Sequence, residues 1–448
     1  MEKFRKIFSG MFRMSLACVM AIGIGMFVIG CDDDDDDDNG GSPISYCDDG
    51  YTTLADGGTL NGVYTSCIEV DEDAEVTLRG KVVFTRGTIL KVNPGVTFRG
   101  YIDADDADFV SYLIIDRGAR IDAEGTASKP ITFTSSKSDG ERGRQDWGGL
   151  IVNGYADINN GTEAYGEGDS GLYGGTNDAD NSGVMKYVRI FFAGKAFTPD
   201  NELNGLALQG VGSGTELDYI QTHNCYDDGI EFFGGNVNVQ HLVSTGNGDD
   251  QIDNTGGYRG KIQFAISAPI DSDTAFEHDN NEDDFAASPI TAVDYYNVTA
   301  LRGDGSAVRG ARIRRGTQAS FSNAYFAGHQ DARCVTAEDA GTAVTLSSVV
   351  FDDSCGVTAY TATSPATITE TANVTQNVST DYFDLGDFAT LAALETAGAD
   401  AFIPSATIAG TAATPPSDGF YDTSANYIGA VPASGTNWLA TWTAFPAD

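Results

Sequence analysis

The sequence predicts an all-β solenoid, a fold in which short strands wind into turns that stack along one axis. The first observation is a repeat: residues 205–208 (GLAL) return as residues 229–232 (GIEF), 24 positions on, and Asp227-Asp228 return as Asp249-Asp250, 22 positions on. The second observation is that apolar, β-rich phrases alternate with bends of Gly, Asn and Asp. At about 3.3 Å per residue, three short strands and three bends fill a turn of this length.

Composition fits this fold and limits the function. A chain of 448 residues is long for one compact core, whereas a solenoid grows by adding turns. The 54 Gly residues suit tight bends, and an apolar share of 41% suits a buried axis. A formal net charge of −39 repels nucleic acid and anionic lipid, so we set nucleic-acid binding aside. This negative charge favours the binding of divalent cations or basic partners, or it serves only to keep the protein surface solvated.

Residues 1–30 are typical of a secretory signal peptide. Basic residues, among them Lys3, precede an apolar run over residues 14–30. This run is long enough to span a membrane as a helix, but it closes with the letters VIGC, which resemble the bacterial lipobox. That resemblance implies cleavage before Cys31 and lipid attachment to Cys31, so that lipid chains anchor the protein to the membrane.

Residues 31–45 form a predicted acidic tether. Seven consecutive aspartates, Asp32 to Asp38, repel one another and keep the segment extended. The run is either a solvated linker or a sorting signal. Acidic residues after a lipidated cysteine resemble surface-export signals in some bacteria and inner-membrane retention signals in others. The large exported body favours the outer membrane or cell surface.

Five cysteines remain after the signal peptide and the lipidation site. Cys47 and Cys67 are 20 residues apart, and Cys334 and Cys355 are 21 residues apart, close to one predicted turn. Residues one turn apart lie about 5 Å apart, within disulfide range. We therefore predict both disulfides, which persist in exported proteins, and a buried free thiol at Cys225. No cysteine or histidine spacing indicates zinc.

Residues 46–355 contain the predicted solenoid. Short alternating runs cut by Gly start near Val76 and continue to residues 347–351. Two stretches rich in Gly, Asn and acidic residues, residues 159–183 and 271–288, are predicted to be long loops.

Residues 356–448 form a predicted C-terminal segment, rich in Thr and Ala, that ends in a cap. Within it, Asp387–Ala397 is predicted to be a short helix that Gly398 ends. Trp438 and Trp442 are expected to help cover the open end of the solenoid.

Several phrases that keep their order support a resemblance to a known family. They are LKVNPGVTFRG, LIIDRGARIDAEGTASKPITFTSS, DWGGLIVNG, YGGTNDADNSGVMKYVRIFFAG and YIGAVPASGTNWLATWTAF. From about Val76 to Asp448 the chain resembles exported bacterial lipoproteins with a right-handed parallel β-helix, most of them hypothetical proteins. The resemblance implies that the solenoid over residues 46–355 is a right-handed parallel β-helix. It implies no activity.

Repeated acidic residues at the bends are the candidate metal ligands. Asp227 and Asp228 lie one turn before Asp249 and Asp250, and Asp253 follows. Stacked carboxylates about 5 Å apart repel one another unless a cation lies between them, and clustered hard oxygens suit Ca²⁺. The alternative is turn chemistry, because Asp at a bend bonds to nearby backbone and tolerates left-handed geometry.

Catalysis is a further possibility for these acids. Paired aspartates on a parallel β-helix resemble the acid and base groups of polygalacturonases, but the Gly-His-Gly segment expected between them is missing. A polysaccharide lyase would need Ca²⁺ and a base, for which Arg314 and Lys261 are candidates.

Three functions follow for a lipid-anchored β-helix protein at the cell surface. The preferred one is a binding or adhesion module for a glycan or a protein partner. The first alternative is a polysaccharide lyase or glycoside hydrolase acting on an acidic polysaccharide. The second alternative is a purely structural surface protein. A cleft with a basic residue facing two carboxylates would favour the enzyme.

Overall fold

A computed structural model of the chain describes residue 44 and residues 46–198, 201–305, 309–329 and 333–448. The predicted signal peptide, Cys31 and the aspartate run lie outside these ranges. In the described part of the chain, no helix combines the length and apolar character needed to cross a membrane.

The described part of the chain contains thirty short strands, of which 26 pair in parallel from turn to turn and four form two antiparallel hairpins. They are β1 (Tyr51–Leu54), β2 (Thr59–Tyr64), β3 (Cys67–Val70), β4 (Glu75–Phe84), β5 (Ile89–Val92), β6 (Thr97–Gly100), β7 (Tyr112–Ile115), β8 (Arg120–Glu124), β9 (Ile131–Ser135), β10 (Gly149–Asn153), β11 (Ala164–Tyr165), β12 (Leu172–Tyr173), β13 (Gly183–Phe191), β14 (Lys195–Thr198), β15 (Asn201–Leu203), β16 (Leu206–Gln209), β17 (Glu216–His223), β18 (Ile230–Phe233), β19 (Asn238–Thr245), β20 (Ile252–Thr255), β21 (Lys261–Ala268), β22 (Phe276–His278), β23 (Ala292–Leu301), β24 (Ala311–Ile313), β25 (Gln318–Ala327), β26 (Val335–Ala337), β27 (Ala343–Asp352), β28 (Tyr360–Ala362), β29 (Thr367–Ala372) and β30 (Thr375–Val378).

All of these strands except the hairpins β11–β12 and β14–β15 form the right-handed parallel β-helix that the sequence predicts, with three faces. The first face runs through β3, β5, β8 and the N-terminal halves of the long strands from β13 to β27. The second face runs through β6, β9 and the C-terminal halves of the same long strands. The third face runs through β7, β10, β16, β18, β20, β22, β24, β26 and β28. Apolar side chains from all three faces fill the axis.

A stacked corner joins the first and second faces in the middle of each long strand. Tyr187, Tyr219, His241 and Phe264 occupy this position in successive turns, each with a φ between 51° and 59°. Their rings stack at centroid distances of 4.2, 4.1 and 4.7 Å. Left-handed backbone is unfavourable for such residues, so the stacking offsets local strain at every turn.

The cysteines pair as the one-turn spacing predicts. Disulfides join Cys47 to Cys67 and Cys334 to Cys355, with Cα atoms 5.5 and 5.4 Å apart. Cys225 is a buried free thiol in the core.

The C-terminal segment covers the side of the solenoid. The second face projects apolar side chains outward, among them Ile266, Leu301 and Tyr325, and the C-terminal segment packs on them. The expectation that Trp438 and Trp442 cover the open end is wrong. Both rings lie against the stacked corner instead, because that exposed aromatic surface needs cover: Trp442 is 5.7 Å from the Tyr219 ring, and Trp438 is 4.8 Å from the His241 ring.

Four segments differ in detail from the sequence prediction. The short helix α1 (Leu391–Ala397) begins later than Asp387, with Thr390 as its N-cap, and it ends at Gly398 as expected. Residues 271–288 include β22, because Phe276 points into the core and pairs with the neighbouring turns. Residues 159–183 form a loop that includes the hairpin β11–β12. The parallel strands also continue past residue 355, through β28 to β30.

Candidate functional site

The acidic bends lie where the second face turns into the third. Asp227-Asp228 precede β18, Asp249-Asp250 precede β20, and Asp273-Thr274 precede β22. The backbone N–H of Asp249 donates to the carbonyl of Asp227 at 3.2 Å, so equivalent residues stack one turn apart. The structure therefore brings the four repeated aspartates of the sequence together.

A second row of acids projects outward from the third face. Glu231 on β18 is in register with Asp253 on β20, which is in register with Glu277 on β22. In the next turn, Arg312 on β24 occupies the same position. The sequence prediction included Asp253 but missed Glu231 as a site residue. The alternation of apolar and acidic residues in IEF and IDN is the signal that could have found it, because alternate side chains of a strand share a face.

Among the described residues, these acids form three clusters, each with ligand oxygens within 4.8 Å of one another, and the two rows meet in one of the three. The clusters are Asp227/Asp228/Asp249, Asp228/Glu231/Asp253 and Asp249/Asp250/Asp273. Two Ca²⁺ ligands on opposite sides of the ion, each about 2.4 Å away, lie about 4.8 Å apart. Hard carboxylate oxygens at this spacing can hold a metal ion.

Burial and mutual repulsion destabilise the charged form of these carboxylates. Burial, with the charges of nearby carboxylates, raises the pKa of Asp227 to about 8. Burial likewise raises the pKa values of Asp228, Glu231 and Asp253 well above their usual range, and neighbouring acids add to the shift. Near neutral pH, the clusters therefore hold protons or need a cation to offset their charge.

Turn chemistry, the alternative role for these acids, is also present. Oδ1 of Asp228 accepts the backbone N–H of Asp250 at 3.0 Å. Oδ1 of Asp250 accepts the backbone N–H of Thr274 at 2.7 Å and its hydroxyl at 2.5 Å. Each bond uses one carboxylate oxygen, so the second oxygen of each aspartate remains available to a ligand.

Arginines border the acids at the other end of the third face. Arg314 donates to Oδ1 of Asp279 at 2.6 Å and also to Glu277, and Arg315 donates to Oδ2 of Asp279 at 2.7 Å. Lys261, the other candidate base, begins β21 on the first face and pairs there with Asp418. It is therefore not part of the acidic site.

Most of these acids, though not Asp250 or Asp273, line one groove with a volume of about 840 Å³, which we call the acidic groove. Loop residues close its sides, including Tyr165 and Tyr173 from the hairpin β11–β12 and Asn281 from the loop after β22. Phe233 projects from the third face into the same groove. The acidic groove thus combines carboxylate clusters, aromatic walls and a basic end.

Comparison with known proteins identifies the family. The sequence profile of the pectate-lyase-like β-helix domain matches residues 62–401. No curated protein matches the sequence. Among solved structures, the chain is similar to the Dettilon tailspike protein, with 11% identity over 73% of this chain and 61% of that chain and a TM-score of 0.29, a likeness too slight to support an argument. The profile match spans most of the chain, which therefore belongs to the pectate-lyase-like β-helix domain family.

Proposed function

We propose that the acidic groove binds Ca²⁺ and, through it, the carboxylates of an acidic polysaccharide. The observation that carries this proposal is the set of three carboxylate clusters on adjoining turns, two of which lie wholly in the wall of one open groove. An acidic glycan would be repelled by these groups alone, whereas a cation shared between groove and glycan offsets both charges. The family, which is named for its likeness to pectate lyases, supports the same class of ligand.

Groove size and walls support a saccharide ligand. A volume of about 840 Å³ lies within the usual range for small-ligand sites, about 300–1,000 Å³. Aromatic rings such as Tyr165, which is 83% exposed, offer apolar faces on which sugar rings pack. Carboxylates along the groove accept hydrogen bonds from hydroxyl groups, and side-chain amides both donate and accept them.

The protonation state of Arg314 favours ligand binding over polysaccharide cleavage as the function of the groove. A lyase base must lose a proton before it can accept one from the substrate. Burial lowers the pKa of Arg314, but its bond to Asp279 and the charges of Glu277 and Asp279 raise the pKa more, so it ends above its usual range. Arg314 therefore acts here as a fixed cation that closes one end of the groove.

Polysaccharide cleavage is the second candidate function, and the position of Arg314 in the acidic groove favours it. In a β-elimination, a base takes the proton beside the uronate carboxylate, a C=C bond forms and the glycosidic C–O bond breaks. A bound metal would neutralise that carboxylate. The polygalacturonase-like arrangement has no support, because no described histidine lines the groove, and His278 points inward to Asn254, 2.8 Å away.

A binding assay with polygalacturonate tests the proposed function. We expect retention of the protein on immobilised polygalacturonate in Ca²⁺, loss of retention in a chelator, and no retention on a neutral glucan. Glu231→Gln with Asp253→Asn should abolish retention, whereas Asp105→Asn with Asp106→Asn, in an exposed loop, should not. Equal retention of the groove variant would contradict the proposal. Release of unsaturated sugar that Arg314→Gln abolishes would instead establish the lyase.

The location belongs to the same proposal. We propose a protein anchored through lipid on Cys31 to the outer membrane or cell surface, which would present the acidic groove to extracellular glycans. The support is the VIGC sequence after an apolar run and the long aspartate tether. Adhesion to a surface glycan would follow from groove binding and this anchor together.

A further inference from the structure

A second pocket, which we call the arginine pocket, lies on the second face beside the C-terminal segment. It has a volume of about 550 Å³, and its wall includes Arg99, Arg142 and Arg189. In a chain with a net charge of −39 and only 26 Lys and Arg residues, three guanidinium groups around one pocket are unexpected. The pocket is separate from the acidic groove and shares no lining residue with it.

The register of the β-helix places these side chains together. Thr97 on β6 pairs with Thr132 on β9, and Thr132 pairs with Arg189 on β13, so the three residues form one outward row. Arg99 lies two residues along β6, on the same side of the strand as Thr97. The intervening Phe98 and its partner Phe133 point into the core.

Arg189 has no carboxylate partner among the residues that the structure describes. Its Nε and Nη2 atoms donate to the Thr132 hydroxyl at 3.1 and 2.6 Å, and its Nη1 donates to the carbonyl of Trp442 at 3.4 Å. These acceptors are neutral. Burial lowers the pKa of Arg189 to about 10, because nothing nearby compensates its charge.

Arg142 is also incompletely satisfied. Its Nε is buried and has no hydrogen-bond partner. Its ion pair is with Asp139, 2.7 Å away, whose side chain is 90% exposed, and such exposed pairs contribute little. Glu395 is the acid on the pocket wall. Arg99 is paired with Glu75 outside the pocket, through bonds of 3.1 and 3.2 Å, so Arg142 and Arg189 are the guanidinium groups that leave the pocket net positive.

We propose that the arginine pocket binds a small organic carboxylate with the dimensions of a sugar acid. Guanidinium groups bind planar carboxylates through paired N–H donors, which fits the open donors of Arg142 and Arg189. A volume of about 550 Å³ is far larger than an inorganic anion needs and suits a small organic ligand. Phe191 and Phe445 supply apolar wall, and Thr132 and Thr134 supply hydroxyl groups for the sugar.

Calorimetric titration of the protein with sodium glucuronate, in buffer freed of metal by a chelating resin, tests this proposal independently of the acidic groove. We expect saturable binding of glucuronate, and binding of glucose and of sodium sulfate at least about tenfold weaker. Arg189→Gln and Arg142→Gln should each weaken glucuronate binding about tenfold or more. Arg79→Gln, an arginine outside the pocket, should leave it unchanged.

Arg142→Gln keeps the test decisive if Arg189→Gln disturbs the fold through Trp442, because the ion pair of Arg142 is with the exposed Asp139 and its guanidinium otherwise lies over the Phe192 ring, 5.2 Å away. Near-ultraviolet circular dichroism checks that each variant is folded. Failure of glucuronate to bind, binding of glucose or sulfate as tight as glucuronate, or full affinity in folded Arg142→Gln would each overturn the proposal. None of these outcomes bears on Ca²⁺ binding in the acidic groove, since no metal is present.

Discussion

Asp228 illustrates how a single residue serves both the fold and the site. Its Oδ1 accepts the backbone N–H of Asp250 one turn on, as a turn-forming aspartate would. The same carboxylate belongs to two of the three clusters, with Asp227 and Asp249 and with Glu231 and Asp253. Asn at this position would keep the turn bond but lose the charge that a metal requires.

Substitution of Asp227 tests the electrostatics of the clusters. The pKa of Asp227 is about 8 in the folded chain, whereas the ordinary pKa of an aspartate is 3.8. Between these two pH values, the folded chain therefore keeps a proton that the unfolded chain has lost. Its contribution to stability is present at low pH and is lost as the pH rises toward 8. In metal-free buffer, Asp227→Asn should melt above wild type at pH 8, and the difference should vanish near pH 4. The same difference at both pH values in calorimetry would contradict the raised pKa.

Among the structural elements, the stacked corner determines how the long strands bend. The long strands β13, β17, β19, β21, β23, β25 and β27 each cross from the first to the second face at a residue with left-handed φ. Aromatic residues hold this position in the earlier turns, and Asn297, Asn323 and Ser348 hold it in the later ones. Asn tolerates left-handed backbone, whereas the aromatic residues rely on stacking with the turns above and below.

Tyr219 is the position at which backbone strain and stacking can be separated. Its φ is 55°, and it stacks between Tyr187 and His241. Tyr219→Asn and Tyr219→Val both remove the stacked ring, but Val must also adopt left-handed backbone, at a cost of about 1–2 kcal/mol. Urea unfolding should therefore show Tyr219→Val to be less stable than Tyr219→Asn by about that amount. Equal stability of the two variants would rule out strain at the corner.

The disulfides connect successive turns near the two ends of the predicted solenoid. Peptide mapping without reduction should find Cys47 joined to Cys67 and Cys334 joined to Cys355, with Cys225 unpaired. On the chain-entropy model, a disulfide that closes a loop of 20 or 21 residues stabilises the folded chain by about 3 kcal/mol. Replacing both members of one pair by Ala should lower the free energy of unfolding by about that amount. A map with any other pairing would show that the register of the turns is wrong.

Local sequence patterns were sufficient to predict the turns of the β-helix but not the segments that pack on its outside. The 22-residue repeat and the cysteine spacing predicted the stacking of turns and the disulfides, since both depend on neighbours one turn apart. The place of Trp442 depends on contacts with distant residues: Arg189, which bonds to its carbonyl, is 253 positions away. Glu231 needed the strand register to show that it faces Asp228 and Asp253. The alternation in IEF marks the side of the strand on which Glu231 lies, but no local pattern gives the neighbours of Glu231 or the contacts of Trp442.

At the scale of the whole molecule, the C-terminal segment determines which face carries the acidic groove. It packs on the outward apolar residues of the second face and covers them. The third face carries the outward row of Glu231, Asp253 and Glu277 along the open acidic groove. With the second face covered, the acidic groove on the third face stays open to ligands.

The anchor is tested at the same scale. Cys31→Ala should abolish metabolic labelling with palmitate and release the protein from the membrane fraction, because the lipid would have no attachment site. Cys225→Ala serves as the control, since this thiol is buried in the core and should not affect labelling. Unchanged labelling of Cys31→Ala would exclude the lipid anchor.

Melting of the metal-free protein at increasing Ca²⁺ is the most direct test of the acidic groove. A ligand that binds only the folded state raises the free energy of unfolding by about 2.7 kcal/mol at a hundredfold excess over its Kd, so the melting temperature should rise with Ca²⁺. It should rise less with Mg²⁺, because Mg²⁺ prefers octahedral geometry and holds its waters. Asp228→Asn with Asp250→Asn should keep the turns but lose this rise. A wild-type melting temperature that does not respond to millimolar Ca²⁺ would contradict a metal site and leave the aspartates as turn residues alone.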